Sequence, residues 1–584
     1  MPETQDPVVL LDPHTTATRE VLGNKGASLV AMLALGLPVP PAFAVPVAEC
    51  RRYQASGGRI PDDTWQAILA GVAALEERTG RRLGDPDRPL LVSVRSGAAV
   101  SMPGMMDTLL NLGLNDDVEA GLATLTGDPA FARATHRRFV RDYGDIVLGA
   151  DLEDEPSDAD AAALRGAIRA DTGADVPADP VAQLQGAVRA VFDSWSSRRA
   201  RAYRRQWGLD DAGGTAVLVQ AMVFGNLGER SGTGVLFTRD PLTGTGDAYG
   251  EWLPGGQGDD VVGGTHDPLP LEALARTDPD AHRALLDAAR RLEREHGDVQ
   301  DVEFTVERGR LHLLQTRAAK RSPAAAIRAA VDFVAEGAID RAEALRRVTP
   351  EQLATALTPR LEPGVVVDAE VLARGVAACP GIATGRVAQD SAAAELAAAD
   401  GPVVLARPTT SPEDVSGMIA ATAIVTERGG STSHAAVVSR ALGRPSVVGV
   451  GAGATDGWEG REVTVDGSEG VVYAGRLPVR RPAAEDVPGL PTLLEWAAAA
   501  SPVAVRDDAP EIRDLEDRGL DPEGADDATL TDAMRGAAAV RGIVLGTDAG
   551  AGAAVAAGVG TVVPLADQDP LVLLLRLARA ADAG

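Results

Sequence analysis

The sequence predicts a multidomain α/β (α+β) protein, and three observations carry that expectation. The chain has 584 residues, well past the roughly 250–300 that one hydrophobic core serves, so about two to four domains are expected. Short β-branched runs alternate with helical patterns over residues 1–320. A helical stretch then separates this region from a second, smaller alternation of strands and helices.

In the front segment, LLVSV (90–94), TAVLVQAMVF (215–224) and RLHLLQT (310–316) read as strands between polar, Gly-rich turns. Within VSVRSGAAVSMPGMMDTLLNLGL (92–114), a strand runs into small residues and then methionines. That composition suits a mobile loop over a ligand, although Met102, Met105 and Met106 would serve equally as core filler. From Arg321 the pattern turns helical: Ser322 is a good N-cap, Pro323 fits the first helical position and Gly337 a C-terminal stop, with helices expected to about Leu357. Residues 321–374 therefore read as a helical linker. A compact α/β segment, 375–476, follows, with strands PVVLAR (402–407), TAIVTE (422–427) and EVTVDG (462–467). The tail, 477–584, holds the helix TLLEWAAAA, an acidic stretch and the strand–glycine–helix–strand pattern RGIVLGTDAGAGAAVAAGVGTVVPL (541–565). Its run TDAGAGAAVAAG lacks the lysine of GxxxxGK[ST] and the order of GxGxxG, so a packed αβ tail is expected rather than a nucleotide loop.

Charge narrows the partners. Fifty-six basic against 84 acidic residues leave a net charge of -28, which disfavours nucleic acid and anionic membrane surfaces. Cys50 and Cys379 lie far apart and match neither a metal-ligand spacing nor a disulfide framework, as expected in a reducing cytoplasm. No apolar run approaches the roughly 20 residues of a bilayer span. The start, MPETQDPVVLLDPH, lacks the basic and apolar regions of a signal peptide. A cytoplasmic protein without a membrane partner is the expectation. Arginine has displaced lysine almost everywhere, leaving only Lys25 and Lys320. A surviving lysine can mark a site that needs a compact point charge, such as a phosphate site, rather than a planar fork; survival by chance is the plain alternative.

The segment ATAIVTERGGSTSHAAVVSRALGRPSVVGVG (421–451) concentrates the chemistry. A strand ending near Glu427 enters the Arg428-Gly429-Gly430 turn. A helix then begins with Ser431 or Thr432 as N-cap and closes before Gly443 and Pro445. His434 falls in its first turn, where unpaired backbone N–H groups and the positive end of the helix dipole favour a neutral imidazole and can hold phosphoryl oxygens. Small neighbours allow close approach of a triphosphate, and the Thr432 and Ser433 hydroxyls lie beside the nucleophile. For the other six of the seven histidines a surface or core role is expected.

The His434 segment is similar to the signature of enzymes that carry a phosphohistidine between ATP and pyruvate or phosphoenolpyruvate. NKGASLVAMLALGLPVPPAF (24–43), VRSGAAVSMPGMMDTLLNLGLND (94–116), VQAMVFGNLGERSGTGVLFTRDPLTG (219–244) and QDVEFTVERGRLHLLQTR (300–317) extend the likeness, and together they resemble the pyruvate, phosphate dikinase family from about Leu10 to Gly475. Phosphoenolpyruvate synthase, the rifampicin phosphotransferases and the glucan water dikinases share the phosphohistidine logic, but other residues are expected in them where this chain reads SMPGMMDT. The resemblance implies an ATP-grasp nucleotide-binding domain over 1–320, the linker over 321–374, a swivelling phosphohistidine domain over 375–476 and a short degenerate αβ tail over 477–584. It implies that Lys25 contacts the ATP phosphates, that Arg95 steadies them, and that Asp301, Glu303, Gln315 and Arg317 complete the ATP site, with Glu303 and Gln315 as Mg²⁺ ligands. The pattern is physically sensible. Asp301 and Glu303, two apart on a strand, share a face, as do Gln315 and Arg317 on the next, and carboxylate and amide oxygens suit Mg²⁺.

By the same resemblance, the β-phosphoryl of ATP reaches His434 and inorganic phosphate takes the γ-phosphoryl. Thr432 matches the threonine at which plant members are regulated. Full family enzymes end in a (β/α)8 barrel that binds pyruvate and phosphoenolpyruvate, and the hundred or so residues from Leu477 to Gly584 fall short of the roughly 250 such a barrel needs. LPTLLEWAAAASPVAVRDDAPEIRDLEDRGLDPEGA (490–525) faintly resembles the approach to its first strand, and there the likeness stops. Three readings of the acceptor step remain open: a separate barrel protein acting in trans, another phosphoryl acceptor, or a non-catalytic nucleotide-binding regulator. The lysine pattern predicts that Lys25→Arg slows transfer from ATP to His434 although it keeps the charge; single-turnover phosphohistidine formation is the measurement.

Overall fold

The computed structural model describes residues 6–583 apart from 99–105, 153–158, 207–212, 263–266, 358–359, 363–368, 481, 517–524 and 566–567. Met102 and Met105 lie outside the described residues, whereas Met106 packs with Trp195.

The first lobe is an antiparallel sheet of strands 9–10, 42–45, 216–221, 92–97 and 108–112, in that spatial order. Helices Asp62–Thr79, Pro129–Tyr143 and Pro180–Ser194 bury one face of it around Phe43, Val92, Val94, Phe139 and Val219. The capping chemistry is visible in the sequence: Asp128 and Asp179 accept from backbone N–H groups ahead of Pro129 and Pro180 at the first helical position. The second lobe is also antiparallel, in the order 269–270, 249–254, 232–237, 300–307 and 310–318. Helix Pro279–His296 covers it, and Trp252 stacks on Phe304 with ring centroids 5.9 Å apart.

Helix Arg19–Ala34 unites the lobes. Leu22, Leu29 and Met32 share a core with Ala44 and Leu218 of the first sheet and with Val302, Phe304 and Leu313 of the second. The helix is broken at Gly23, whose φ is 69° and where a Cβ would stand 1.7 Å from the Gly97 carbonyl oxygen. Only glycine permits that approach. The break starts a fresh helical segment at the edge of the interlobe space, and Lys25 sits in its first turn.

Three helices, Pro323–Ala335, Arg341–Arg347 and Pro350–Ala356, follow. Ser322 caps the first by accepting from the Ala325 N–H at 3.0 Å, with Pro323 next. Their apolar faces do not close on themselves. Ile327, Leu345 and Leu353 share a core with Leu490 and Leu493 of helix Leu490–Ala500 and with Leu575 of helix Pro570–Ala583.

The histidine-bearing unit is an eight-stranded mixed sheet. At its centre, strands 382–388, 403–407, 423–426 and 446–448 run parallel, joined by crossovers that carry helices Ser391–Ala397, Val415–Ala420 and His434–Leu442. The tail has a four-stranded parallel sheet, order 504–505, 561–562, 539–541, 512–514, with helices Asp527–Met534 and Asp548–Ala556 packed on it. In the glycine-rich 541–565 run the strand of the sheet ends at Arg541, the Ile543–Gly546 segment expected to be strand is a 3-10 turn, and helix Asp548–Ala556 leads to strand 561–562.

Cys50 and Cys379 are buried free thiols, pushed up to about 11 and about 12 by desolvation, which keeps them protonated and unreactive. Among the described residues no helix is long and apolar enough to cross a membrane. Phe304→Ala would remove a fully buried ring stacked on Trp252. A loss of about 3–5 kcal/mol is expected in urea unfolding of the second lobe.

Candidate active site

His434 stands at the carboxyl end of the parallel strand Ala423–Thr426, where ligands gather in open α/β sheets. It is the first residue of helix His434–Leu442. The N-cap is Ser433, which accepts from the Ala436 N–H, not Ser431 or Thr432 as their residue types suggested. The reason is tertiary. The Ser431 and Thr432 hydroxyls are engaged by Glu251, from strand 249–254 of the second lobe. One Glu251 oxygen accepts from the Ser431 N–H at 2.9 Å and the Ser431 hydroxyl at 2.7 Å, and the other accepts from the Thr432 hydroxyl at 2.5 Å. Tyr249 adds a bond from its hydroxyl to that of Ser431 at 2.8 Å. The turn must come close for this: a Cβ at Gly430 would lie 2.5 Å from Glu251 Oε1. From within, buried Arg440 donates to the Ser431 carbonyl at 2.9 Å while its guanidinium faces the Phe237 ring of the second lobe.

Thus held, His434 faces the interlobe space. Nδ1 lies 3.2 Å from the Thr410 hydroxyl, and Nε2 is buried without a hydrogen-bond partner among the described residues. Burial lowers the imidazole pKa below the ordinary histidine value, opposed in part by the carboxylates of Asp414 and Glu413, which favour the cation. The ring is therefore neutral near pH 7, with a lone pair available.

Lys25, Arg95, Glu303, Gln315, Arg317, Thr432 and His434 line one cavity of about 510 Å³, together with Gln220, Met222 and Thr410. The second lobe presents its share through sheet register. Glu303 pairs directly with Gln315, and Asp301 with Arg317, across strands 300–307 and 310–318. Arg95, on strand 92–97 of the first lobe, reaches over to Glu303 Oε2 at 3.4 Å and Gln315 Oε1 at 3.3 Å. Those contacts are long, and both oxygens keep capacity for another partner.

Asp301 is the one predicted site residue that does not line the cavity. It is 3% exposed and bonds Arg317 Nε at 2.7 Å, which holds the guanidinium protonated and aimed at the opening. Two side chains central to this geometry, Glu251 and Thr410, escape sequence reasoning. Glu251 is one carboxylate on a strand with no spacing partner. Thr410 precedes a Ser-Pro-Glu-Asp helix start that announces a turn but not its neighbour.

The descriptions of known families agree with this layout. Residues 55–278 match the model described as "Pyruvate phosphate dikinase, AMP/ATP-binding domain", and residues 399–470 match "PEP-utilising enzyme, mobile domain". A pyruvate, phosphate dikinase of Rhizobium meliloti is 42% identical over 538 residues, covering 84% of this chain and 60% of that protein. Pyruvate, phosphate dikinase 2 of Zea mays is 43% identical over 515 residues (82% and 58%), and the Clostridium symbiosum enzyme 40% over 538 (86% and 61%). The chain thus spans 58–61% of the length of these three relatives.

A two-lobed unit that matches the AMP/ATP-binding model, set against a histidine-bearing unit that matches the mobile-domain model, defines the class, that of the PEP-utilising enzymes. Within that class, the chain belongs to the pyruvate, phosphate dikinase family.

Two measurements check the site as described. Glu251→Ala would leave the buried Ser431 and Thr432 donors unpaired, at about 1–3 kcal/mol each, so hydrogen exchange at the Ser431 amide should accelerate about tenfold or more. His434 should titrate below the ordinary value of about 6.5 by NMR, and Glu413→Gln should move it further down, because removing a nearby negative charge disfavours the imidazolium.

Proposed function

We propose that this chain phosphorylates His434 from Mg-ATP in a phosphate-dependent reaction, the donor half of the pyruvate, phosphate dikinase cycle. One observation supports the reading above the others. The unpartnered Nε2 of a neutral histidine and the side chains of Lys25, Arg95, Glu303, Gln315 and Arg317 share one cavity. The donor set suits Mg²⁺: a carboxylate and an amide oxygen sit side by side, and Mg²⁺ completes its shell with substrate phosphates and water rather than with an all-protein cage. Bound there, it would neutralise charge on the β- and γ-phosphates.

The chain's own residues do the rest. Lys25 and Arg95 from the first lobe and Arg317 from the second draw the triphosphate between the lobes and offset its charge. Asp301 keeps Arg317 in place. Glu251 holds the Ser431–Thr432 turn so that Nε2 stands where the β-phosphorus arrives, which turns attack into a positioned, unimolecular event. Inorganic phosphate takes the γ-phosphoryl, and AMP and pyrophosphate leave.

In this reading residues 1–320 form the ATP-grasp nucleotide-binding domain, 321–374 the helical linker and 375–476 the swivelling phosphohistidine domain. The shared core of linker and tail helices supports a structural role for 477–584. The phosphoryl group passes to an acceptor outside the described site. A (β/α)8 barrel acting on pyruvate, in trans, is the acceptor we propose, and another phosphoryl acceptor is the alternative. The buried hydroxyl of Thr432, bonded to Glu251, supports it as a regulatory position: modification there is incompatible with the docked turn.

ATP labelled separately at the β and γ positions, supplied with Mg²⁺ and phosphate, tests the proposal. Acid-labile label from the β position should appear on wild-type protein and be absent from His434→Ala, with ATP affinity unchanged. Later addition of pyruvate shows whether phosphoenolpyruvate forms without a partner. Absence of both labels from the protein would overturn the donor reading in favour of a nucleotide-binding regulator.

A further inference from the structure

The loop that carries Thr410 and the helix that carries His434 meet for a topological reason. Strands 403–407 and 423–426 are parallel neighbours with Arg407 opposite Thr426, so the segments leaving their carboxyl ends lie side by side. Thr410 comes from the first exit and His434 from the second. The Thr410 hydroxyl is 3.2 Å from Nδ1, and Thr410 is 8% exposed.

Its loop is anchored. Asp414, 4% exposed, accepts from the Ser411 N–H at 2.9 Å, the Ser411 hydroxyl at 3.2 Å and the Ser391 hydroxyl at 2.6 Å, and it pairs with Arg407 Nε at 3.3 Å. Pro412 stiffens the same turn. A hydroxyl fixed this firmly can select between the two forms of a neutral imidazole.

We infer that Thr410 is a positioning residue that accepts a hydrogen bond from Nδ1–H of His434, holding the tautomer in which the Nε2 lone pair faces the cavity. The assignment follows from the two nitrogens' surroundings. A proton on Nε2 would be a buried donor with no partner among the described residues, whereas a proton on Nδ1 has the Thr410 oxygen. The inference rests on the proposed autophosphorylation for its chemistry, but not for its geometry.

In that reaction the Nε2 lone pair forms the N–P bond to the β-phosphorus. The bond from that phosphorus to the oxygen bridging to the α-phosphate breaks, and its electrons leave on AMP. Nδ1 keeps its proton throughout. The ring therefore gains positive charge as the bond forms, and the Thr410 oxygen lies beside the nitrogen that shares it.

The full chain labelled with ¹⁵N-histidine provides the test, since long-range ¹H–¹⁵N spectra distinguish the tautomers and His434→Gln identifies the signals among seven histidines. Wild type should show Nδ1 protonated and Nε2 bare. Thr410→Val, close in shape, should populate the Nε2–H form and slow single-turnover phosphohistidine formation roughly tenfold to a hundredfold, as a lost transition-state contact does, with Mg-ATP affinity unchanged. Thr410→Ser should restore both. An Nε2–H tautomer in wild type, or a Thr410→Val protein that keeps the Nδ1–H form, would overturn the inference. The tautomer is read without ATP, so a wild type with the expected spectrum and no phosphohistidine would instead count against the autophosphorylation.

Discussion

The arrangement of this molecule depends on a buried carboxylate that belongs to one unit and is satisfied by another. Glu251 leaves the second lobe on strand 249–254, next to the edge of its sheet, and receives three hydrogen bonds from the Ser431–Thr432 turn. A carboxylate desolvated at an interface is costly unless its lone pairs are filled, and here the N–H and hydroxyl donors of a glycine-rich turn fill them. The same contact explains why the helix start moves to Ser433 and why His434 is aimed into the interlobe cavity. Tyr249, Phe237 and Arg440 extend it, so the histidine is presented by a patch that spans both units.

The cavity itself is a meeting of two sheets. Arg95 belongs to the first, while Glu303, Gln315 and Arg317 belong to facing registers of the second. Helix Arg19–Ala34 keeps these sheets in a common core and places Lys25 at their junction. Charge balance follows the same division: cationic side chains approach from both lobes, oxygen donors from one, and a neutral imidazole from the docked domain. Such a layout suits a polyanion that must be held while one of its phosphorus atoms is attacked from the opposite side.

Much of the fold was legible in the chain's own pattern because it is locally encoded. The Ser322-Pro323 start, the strands around 92–97, 216–221 and 310–318, and the strands 403–407, 423–426 and 462–466 follow from alternation, β-branching and capping residues. Less legible was how the linker relates to the tail. Helices Pro323–Ala335 and Leu490–Ala500 are each amphipathic, and amphipathicity states that a face must be covered without stating by what. The site divides in the same way. Lys25, Arg95, Glu303, Gln315, Arg317 and His434 stand in segments whose residue types and resemblance single them out. Asp301 stands in the same motif, yet it acts from behind Arg317 rather than on the cavity.

The sequence by itself determined the α/β character, the helical linker, the histidine at a helix start after a glycine-rich turn, and the alternation that puts Glu303 and Asp301 on one face of their strand. These depend on interactions within a few residues or on the period of a single element. Only the tertiary structure decided that Glu251 would claim the Ser431 and Thr432 hydroxyls, that Thr410 would sit against Nδ1, and that Lys25 and His434 would face one cavity. The cause is distance along the chain: these partners come from separate strands and lobes, and no local propensity records which surfaces will meet once the apolar faces have been buried.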